Sequence, residues 1–423
     1  MSTRNLLLFA VAFLAALLPA RGQEGEHVPA QGAGSQGAGF YSMLTNEGVA
    51  LSGTDIGEAL GNPVGGHRQG AVYDGLLILG SVIDLGRMLD WQGVTLAVDG
   101  IYPYGSSITR NDVRDFNGVS SIDTVHSPRL YEAWVEKVFD SGVFAIRAGQ
   151  VPIDSEFFLS TNGSLFVNSA FGVLPSVGMN VNVAVYPVAA PGVRLKWTPD
   201  GAWNVLGGVY DGNIGDLHST DRNGLRFNLN GRDGAFAIGE VDYTVNPAPG
   251  PPPDGKAVTE RALSGTYKLG VFYDTAHFPD DVTGVGHQGD YGGYFIVDQE
   301  LWHAPKAPDE GLRGFFRVGL APPDRNQVEF YCDGGINYVG LIPGRNADLL
   351  GIGVSYTKIS DDLRDPDGDR YAGNHETIIE LTYQAAVTST ITVQPDIQYI
   401  FNPGAVITQE NALVLGVRAS VTF

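Results

Sequence analysis

The sequence predicts an all-β chain that forms a transmembrane antiparallel β-barrel of about 16 strands with long external loops. Three observations support this prediction. Apolar and polar residues alternate along many short segments, the connections between these segments alternate between short and long, and 57 of the 423 residues are glycine. Alternation with a period of two places successive side chains on opposite faces of a strand, whereas a helix cannot keep residues two apart on one face.

The start of the chain predicts a secretory signal peptide over residues 1–22. Arg4 precedes the uncharged apolar run Leu6–Leu18, and this is the layout of such a peptide. The run is shorter than the roughly 20 residues that a helix needs to cross a bilayer. We therefore expect this segment to be cleaved, residues 23–40 to form a flexible glycine-rich leader, and residues 41–423 to form the barrel.

Composition limits the classes of partner. The net charge of −21, from 26 basic and 47 acidic residues, argues against nucleic acid, because phosphate binding depends on clustered Lys and Arg. Cys332 is the only cysteine, so an intramolecular disulfide and a cysteine-rich metal site are excluded. No cofactor is expected. The mean hydropathy of −0.01 fits a soluble exported protein or a barrel, since only alternate residues of a barrel strand face lipid.

The predicted strands follow from the alternation. From Ile391 to Phe401 the odd positions are apolar or aromatic, and the even positions include Gln394 and Asp396. If the apolar positions face lipid, arginine at Val393 should hinder insertion into the membrane and arginine at Gln394 should be tolerated. The same pattern places strands near 41–52, 72–85, 93–104, 129–138, 143–151, 190–198, 203–211, 234–246, 261–274, 292–303, 312–321, 327–341, 347–359, 375–386, 389–401 and 411–423.

The connections favour a barrel over a soluble sandwich, because bacterial outer-membrane barrels have short periplasmic turns and long external loops. Tight turns are expected at 140–142, 199–201 and 388–389, and long loops at 105–128, 152–189, 212–233, 275–291 and 360–374. Two connections depart from this order, since 321–327 is short and 247–254 is long. An outer-membrane topology also places four tryptophans at periplasmic strand ends, namely Trp91, Trp197, Trp203 and Trp302.

Polar residues on the inward positions are the candidate binding residues. In the segment 130–139 the alternation directs Tyr131, Ala133 and Val135 toward lipid and Glu132, Trp134 and Glu136 toward the interior. The charged side chains that share the inward positions on other strands are Arg147, Arg313, Arg317, Glu376, Glu380, Asp396 and Arg418. Such groups can bind sugar hydroxyls by hydrogen bonds, and Trp134 can stack on a sugar ring. The alternative is that they only join wall and loops by ion pairs.

The loop 152–189 is the longest connection, and we expect it to fold into the barrel and narrow it. A wide barrel otherwise leaves an open aqueous channel. Asp154 and Glu156 are then candidates for an acidic rim of the constriction. The pore-lining or constriction residues are therefore predicted to be Glu132, Trp134, Glu136, Arg147, Asp154 and Glu156. A course along the outer rim of the barrel is the alternative for this loop.

Matches to enzyme motifs do not hold up, and no enzyme activity is expected. Gly250–Lys256 has phosphate-loop spacing, but three prolines lack the N–H groups that cradle phosphate. Gly284–Gly289 has dinucleotide spacing but is followed by a strand pattern. His375 and Glu376 begin a zinc-protease motif that Ile379 does not complete.

The aspartates of the run 361–369 predict a solvated external loop that shares divalent cations with lipopolysaccharide. A specific calcium site is the alternative, although the run lacks the closing glutamate of an EF-hand loop.

The sequence resembles the carbohydrate-selective outer-membrane porins of the OprB type. The resemblance rests on Val72–Leu77 followed by Asp84-Leu85 and Trp91, on Gly142–Gln150, on Gly192–Leu195 and on Gly207–Asn213. It implies a channel of 16 strands that passes monosaccharides and similar small neutral solutes, with arginine, acidic and aromatic residues at its constriction. Phe423 is similar to the signal by which outer-membrane proteins engage the barrel-assembly machinery.

Three other functions stay open at this point. A general or cation-preferring porin is the nearest alternative, because an acidic lumen attracts cations. A secreted β-sandwich that binds carbohydrate shows the same alternation with its polar face outward. An outer-membrane hydrolase is disfavoured because no G-x-S-x-G motif surrounds any serine.

Overall fold

Sixteen antiparallel strands form one closed barrel in which β1 pairs with β16. The computed structural model describes residues 48–215, 221–225, 227, 234–247, 262–280, 283–305, 307–363 and 373–423. The strands are β1 Val49–Gly66, β2 Gly70–Asp84, β3 Val94–Gly105, β4 Arg129–Phe139, β5 Phe144–Val151, β6 Ala190–Trp197, β7 Trp203–Asp211, β8 Ala235–Val245, β9 Gly265–Pro279, β10 Gly286–Ala304, β11 Ala307–Leu320, β12 Val328–Val339, β13 Leu349–Ile359, β14 His375–Ala386, β15 Ile391–Phe401 and β16 Glu410–Thr422.

In the part of the chain that the structure describes, helices are few and short. The α-helices are α1 Leu85–Leu89 and α2 Pro175–Gly178, and α1 begins at Asp84, whose Oδ1 accepts a hydrogen bond from the Gly86 N–H at 2.9 Å. Single turns of other helix types occur at Thr109–Val113, Asp140–Gly142, Ile153–Ser155, Gly163–Leu165, Ser169–Phe171, Asp361–Leu363 and Pro403–Ala405. Within the described ranges, no helix is long and apolar enough to cross a membrane.

The predicted number of strands is confirmed, but the first strand lies later than expected. β1 spans Val49–Gly66 instead of 41–52, while residues 41–47, the signal peptide and the leader lie outside the described residues. Glycines hide this strand from a search for alternation. Gly57 faces outward beside Tyr73, and a Cβ atom there would lie only 2.4 Å from the Tyr73 hydroxyl.

One predicted loop is mostly strand. The prediction of a loop at 275–291 is wrong. β9 continues to Pro279 and β10 begins at Gly286, which leaves only residues 280–285 between them. The ladder pairs His287 with Phe278 and Gln288 with His277, then shifts register at Gly289. Polar residues and glycines in this hairpin resemble a loop because it lies at the barrel rim and not within the apolar band.

The barrel carries its apolar face outward and its polar face inward. On β15, Ile397 is 45% exposed and Gln394 only 3%, so the alternation predicted from sequence is confirmed. This is the reverse of a soluble sandwich, and it matches a wall that meets lipid. The four tryptophans are exposed and lie at the rim where β1 begins and β16 ends, as the outer-membrane topology requires: Trp91, Trp197, Trp203 and Trp302.

Tyr131 was expected to face lipid, but a bulge in β4 turns its side chain into the barrel. Asp99 of β3 pairs with Glu132 and Gly100 pairs with Leu130, so Tyr131 is an extra residue in the ladder. A residue inserted in this way re-aims the neighbouring side chains. Tyr131 points into the barrel, is 4% exposed and packs in an apolar cluster with Ile101.

Candidate functional site

The long loop 152–189 folds inside the barrel, as predicted, and acidic residues of the wall hold its backbone. Glu240 of β8 accepts a hydrogen bond from the Phe158 N–H at 2.9 Å. Asp298 of β10 accepts three, from the Ser160 hydroxyl at 2.8 Å and from the N–H groups of Thr161 at 3.1 Å and Asn162 at 3.0 Å. Bonds from backbone N–H groups to carboxyl groups are among the stronger hydrogen bonds in proteins. The loop is therefore fixed across the lumen.

The far side of the loop is fixed in the same way. Glu380 of β14 accepts hydrogen bonds from the N–H groups of Val167 at 2.6 Å and Asn168 at 3.0 Å. Arg317 of β11 is fully buried, and it donates to the carbonyl oxygens of Gly172 at 2.6 Å and Ala170 at 3.0 Å. Glu380 and Arg317 face inward as predicted, but they bind the loop.

A second loop, 106–128, also lies inside the barrel, which the sequence analysis did not predict. Glu376 of β14 accepts hydrogen bonds from the N–H groups of Phe116 at 2.6 Å, Asn117 at 3.0 Å and Gly404 at 2.7 Å. Burial, together with the nearby Glu376, raises the pKa of Asp115 in this loop to about 8. Two loops, 106–128 and 152–189, therefore occupy part of the lumen. A solute can pass only through the part of the lumen that they leave open.

Four charged residues meet where the loop 152–189 leaves β5. Glu136 of β4, Arg147 of β5 and Glu156 of the loop were predicted site residues, and Arg194 of β6 joins them. Arg194 binds both Glu156 oxygens at 2.6 Å and Glu136 at 2.5 Å. Arg147 lies 3.1 Å from Glu136 and 3.4 Å from Glu156. We call these four residues the charge cluster, and its formal charges cancel.

Trp134 and Glu132 lie behind the charge cluster. The Arg147 guanidinium carbon lies 3.8 Å from the centroid of the Trp134 ring. The Trp134 indole N–H donates to Glu132 at 2.6 Å, and the two side chains are 3% and 5% exposed. The indole is covered by protein and offers no open face to a sugar ring, so it positions Arg147.

Asp154 belongs to a different part of the lumen from its neighbour Glu156. Its Oδ2 accepts a hydrogen bond from the Tyr186 N–H at 3.0 Å, across the base of the loop. Burial raises the pKa of Asp154 to about 7. Asp154 also lines a cavity of about 260 Å³ between the two inward loops and the barrel wall. Its polar lining includes Arg418 of β16 and Asp123 of the loop 106–128.

Arg194 is the site residue that sequence reasoning missed. The signal was present, because Val193, Leu195 and Trp197 alternate and are all more than 45% exposed on the lipid face, which directs Arg194 inward. Arg194 also pairs with Arg147 in the ladder between β5 and β6. Two adjacent inward arginines require acidic partners, and Glu136 and Glu156 provide them.

A closed barrel with an apolar outer wall, a polar lumen and loops folded into that lumen defines the porins, the diffusion channels of the bacterial outer membrane. Residues 68–423 match the family described as carbohydrate-selective porin, OprB family. The chain belongs to this family and is an outer-membrane carbohydrate porin.

Individual relatives agree with this assignment. The chain is 25% identical over 423 residues to Porin B of Pseudomonas aeruginosa, and the aligned region covers 91% of this chain and 90% of Porin B. It is 24% identical over 416 residues to the putative porin QuiX of Acinetobacter baylyi, with 91% of each chain covered. The high-pH structure of Pseudomonas putida OprB has the same fold, with a TM-score of 0.77 at 24% identity, covering 89% of this chain and 94% of that chain.

Proposed function

We propose that the charge cluster is the solute-contacting part of the constriction, through which monosaccharides and similar small neutral solutes diffuse passively. The observation that carries this proposal is the charge balance of Glu136, Arg147, Glu156 and Arg194. A constriction whose charges cancel gives neither sign of ion an advantage, yet its nitrogen and oxygen atoms can exchange hydrogen bonds with hydroxyl groups. Weak binding of this kind suits passage, because a solute must also leave.

The six predicted site residues take different roles in this proposal. Glu136, Arg147 and Glu156 are partly exposed and contact the solute. Glu132 and Trp134 are buried and hold Arg147 in place. The remaining one, Asp154, fixes the base of the inward loop through Tyr186.

The engagement of the wall acids favours a sugar channel over a cation-preferring one. Glu240, Asp298, Glu376 and Glu380 all accept backbone N–H groups of inward loops. A cation in the lumen would have to compete with these hydrogen bonds. The lumen therefore attracts cations less strongly than its number of acidic residues alone would predict. The outer-membrane lipid, lipopolysaccharide and the barrel-assembly machinery are the proposed partners, and no enzymatic activity is proposed.

The test is single-channel conductance of the refolded protein in a planar bilayer, with glucose or maltose added to block the current. We expect concentration-dependent block in the native protein and weaker block in Arg147→Gln and Glu156→Gln. Lys137→Gln is the matched control, because Lys137 follows Glu136 on β4, lies on the other face and donates to the Gln92 carbonyl at the rim.

Each outcome separates the channel types. Stable current steps without sugar block, combined with strong cation selectivity, would establish the general cation-preferring porin. Block that is equally weakened in Lys137→Gln would remove the charge cluster from the binding site.

A further inference from the structure

We propose that Asp280, His287 and Asp324 form a binding site for a divalent transition-metal ion such as Zn²⁺ at the loop rim of the barrel. The three residues come from three segments. Asp280 directly follows β9, His287 lies at the start of β10, and Asp324 lies in the connection between β11 and β12. One ligand atom from each lies within 4.8 Å of the other two. This site is separate from the lumen and from the proposed sugar constriction.

The spacing of the ligand atoms fits a metal. The His287 Nε2 lies 3.2 Å from the Asp280 Oδ2 and 3.5 Å from the Asp324 Oδ2. Bonds of about 2.0–2.2 Å at a tetrahedral angle hold neighbouring ligand atoms about 3.3–3.6 Å apart. An ion can therefore be placed among these atoms with small side-chain shifts, with water completing its coordination.

Hydrogen bonds orient both carboxylates of the site. The Thr283 N–H donates to Asp280 Oδ1 at 2.6 Å, so Oδ2 is the oxygen that faces His287. The Nε and Nη2 atoms of Arg325 donate to the two carboxylate oxygens of Asp324, each at 2.9 Å. Its Nη1 atom donates to the Gly289 carbonyl at 2.9 Å. Partners of this kind fix ligand direction in known metal sites.

The charges and donor types indicate which ions fit. Arg325 places its positive charge beside Asp324 and donates a hydrogen bond to each of its two carboxylate oxygens. The formal charges of the two carboxylates and of Arg325 leave one negative charge at the site, which attracts a cation. A donor set of one imidazole and two carboxylates suits Zn²⁺ and similar ions, whereas Ca²⁺ and Mg²⁺ prefer oxygen ligands alone.

A bound ion would join the β9–β10 hairpin to the β11–β12 connection. The alternative is that His287 only accepts or donates hydrogen bonds between the two aspartates and joins the loops without metal. The two differ in one measurable respect, because only the metal site binds one equivalent of Zn²⁺ saturably.

The test is isothermal titration of EDTA-treated, refolded barrel in detergent with Zn²⁺, and separately with Mg²⁺. We expect one zinc per barrel and weak or no heat from Mg²⁺. His287→Gln should weaken zinc binding by at least about tenfold, and Asp280→Asn should weaken it as well. His375→Gln is the matched control, because His375 lies at the same rim but contacts Asn374 and stacks on Tyr356.

Folding of each variant is checked by the shift between boiled and unboiled protein on a gel, and Asp280→Asn carries the test if His287→Gln does not fold. Loss of zinc in these variants with retention in His375→Gln supports the site. Absence of zinc binding in the native barrel, or binding that survives in both site variants, overturns the proposal.

Discussion

Arg147 of β5 lies over the ring of Trp134 of β4, with 3.8 Å between the guanidinium carbon and the centroid of the ring. An arginine over an indole is stabilised by about 0.5–2 kcal/mol, depending on its exposure to water. The indole is itself fixed by its bond to Glu132. The position of the Arg147 guanidinium is therefore set by two buried residues.

We expect Trp134→Leu to weaken sugar block, since Arg147 loses the surface that orients it. The concentration of glucose that halves the current should rise by about two- to tenfold. Trp134→Phe keeps an aromatic face and should change the value less. Equal block in the native protein and in Trp134→Leu would show that the orientation of Arg147 does not matter for sugar.

Replacing Glu380 should loosen the constriction loop. Glu380→Ala removes the acceptor of the Val167 and Asn168 N–H groups, and each buried N–H left unpaired costs about 1–3 kcal/mol. We expect noisier single-channel current and a larger mean conductance. Glu329→Ala is the control, because Glu329 pairs with Lys358 and not with a lumen loop. Unchanged noise in Glu380→Ala would mean that the other contacts suffice to hold the loop.

Stability should depend on pH through Asp154. Burial raises the pKa of Asp154 from its ordinary value of 3.8 to about 7, so the folded chain binds this proton more tightly than the unfolded chain. The stabilising contribution is complete below about pH 4 and is lost as the pH rises through about 7. Denaturant unfolding at about pH 5 and about pH 8 measures this, and Asp154→Asn should show a smaller difference than the native protein. An identical difference in both proteins would assign the pH dependence to other groups.

A charge on the lipid face should oppose insertion. Ile397 lies in the middle of β15 and is 45% exposed, so Ile397→Arg should cost about 2–4 kcal/mol. Val393 lies near the start of the strand, closer to the rim, and arginine there should cost less. The folded fraction in lipid vesicles, read from the gel shift, tests both, with Ile397→Met as the control. Full insertion of Ile397→Arg would place this strand face away from lipid.

The structure changes the expectation for Gln394. Alternation alone predicts that arginine is tolerated at this inward position. Gln394 is 3% exposed, and its amide donates to the Leu165 carbonyl at 2.7 Å and to Thr382 at 2.9 Å. Arginine has no room there without displacing the constriction loop.

The strand pattern was largely predictable because lipid and lumen impose opposite chemistry on alternate residues. The exceptions depend on pairing between strands. The bulge at Tyr131 is set by the register of β3 against β4, and β1 is obscured by outward glycines such as Gly57, which makes room for the Tyr73 ring.

The site was only partly predictable from sequence. Alternation correctly directed Glu136, Arg147, Glu376 and Glu380 inward, but it could not tell which of them faces open lumen. That distinction depends on the path of the loops, because Glu376 and Glu380 bind loop backbone whereas Glu136 and Arg147 stay partly exposed. Loop paths result from long-range packing, and local residue patterns do not encode them.

The seam between β1 and β16 dictates an order of events in the cell. Glu58 and Arg418 form an ion pair across it, although 360 residues separate them along the chain. The ribosome makes β1 first, so that strand must wait for its neighbour until nearly the whole chain has been synthesised. An unpaired strand edge is a template for pairing with another chain. Until β16 has been made, the unpaired edge of β1 must therefore be kept from pairing with other chains on the way to the membrane.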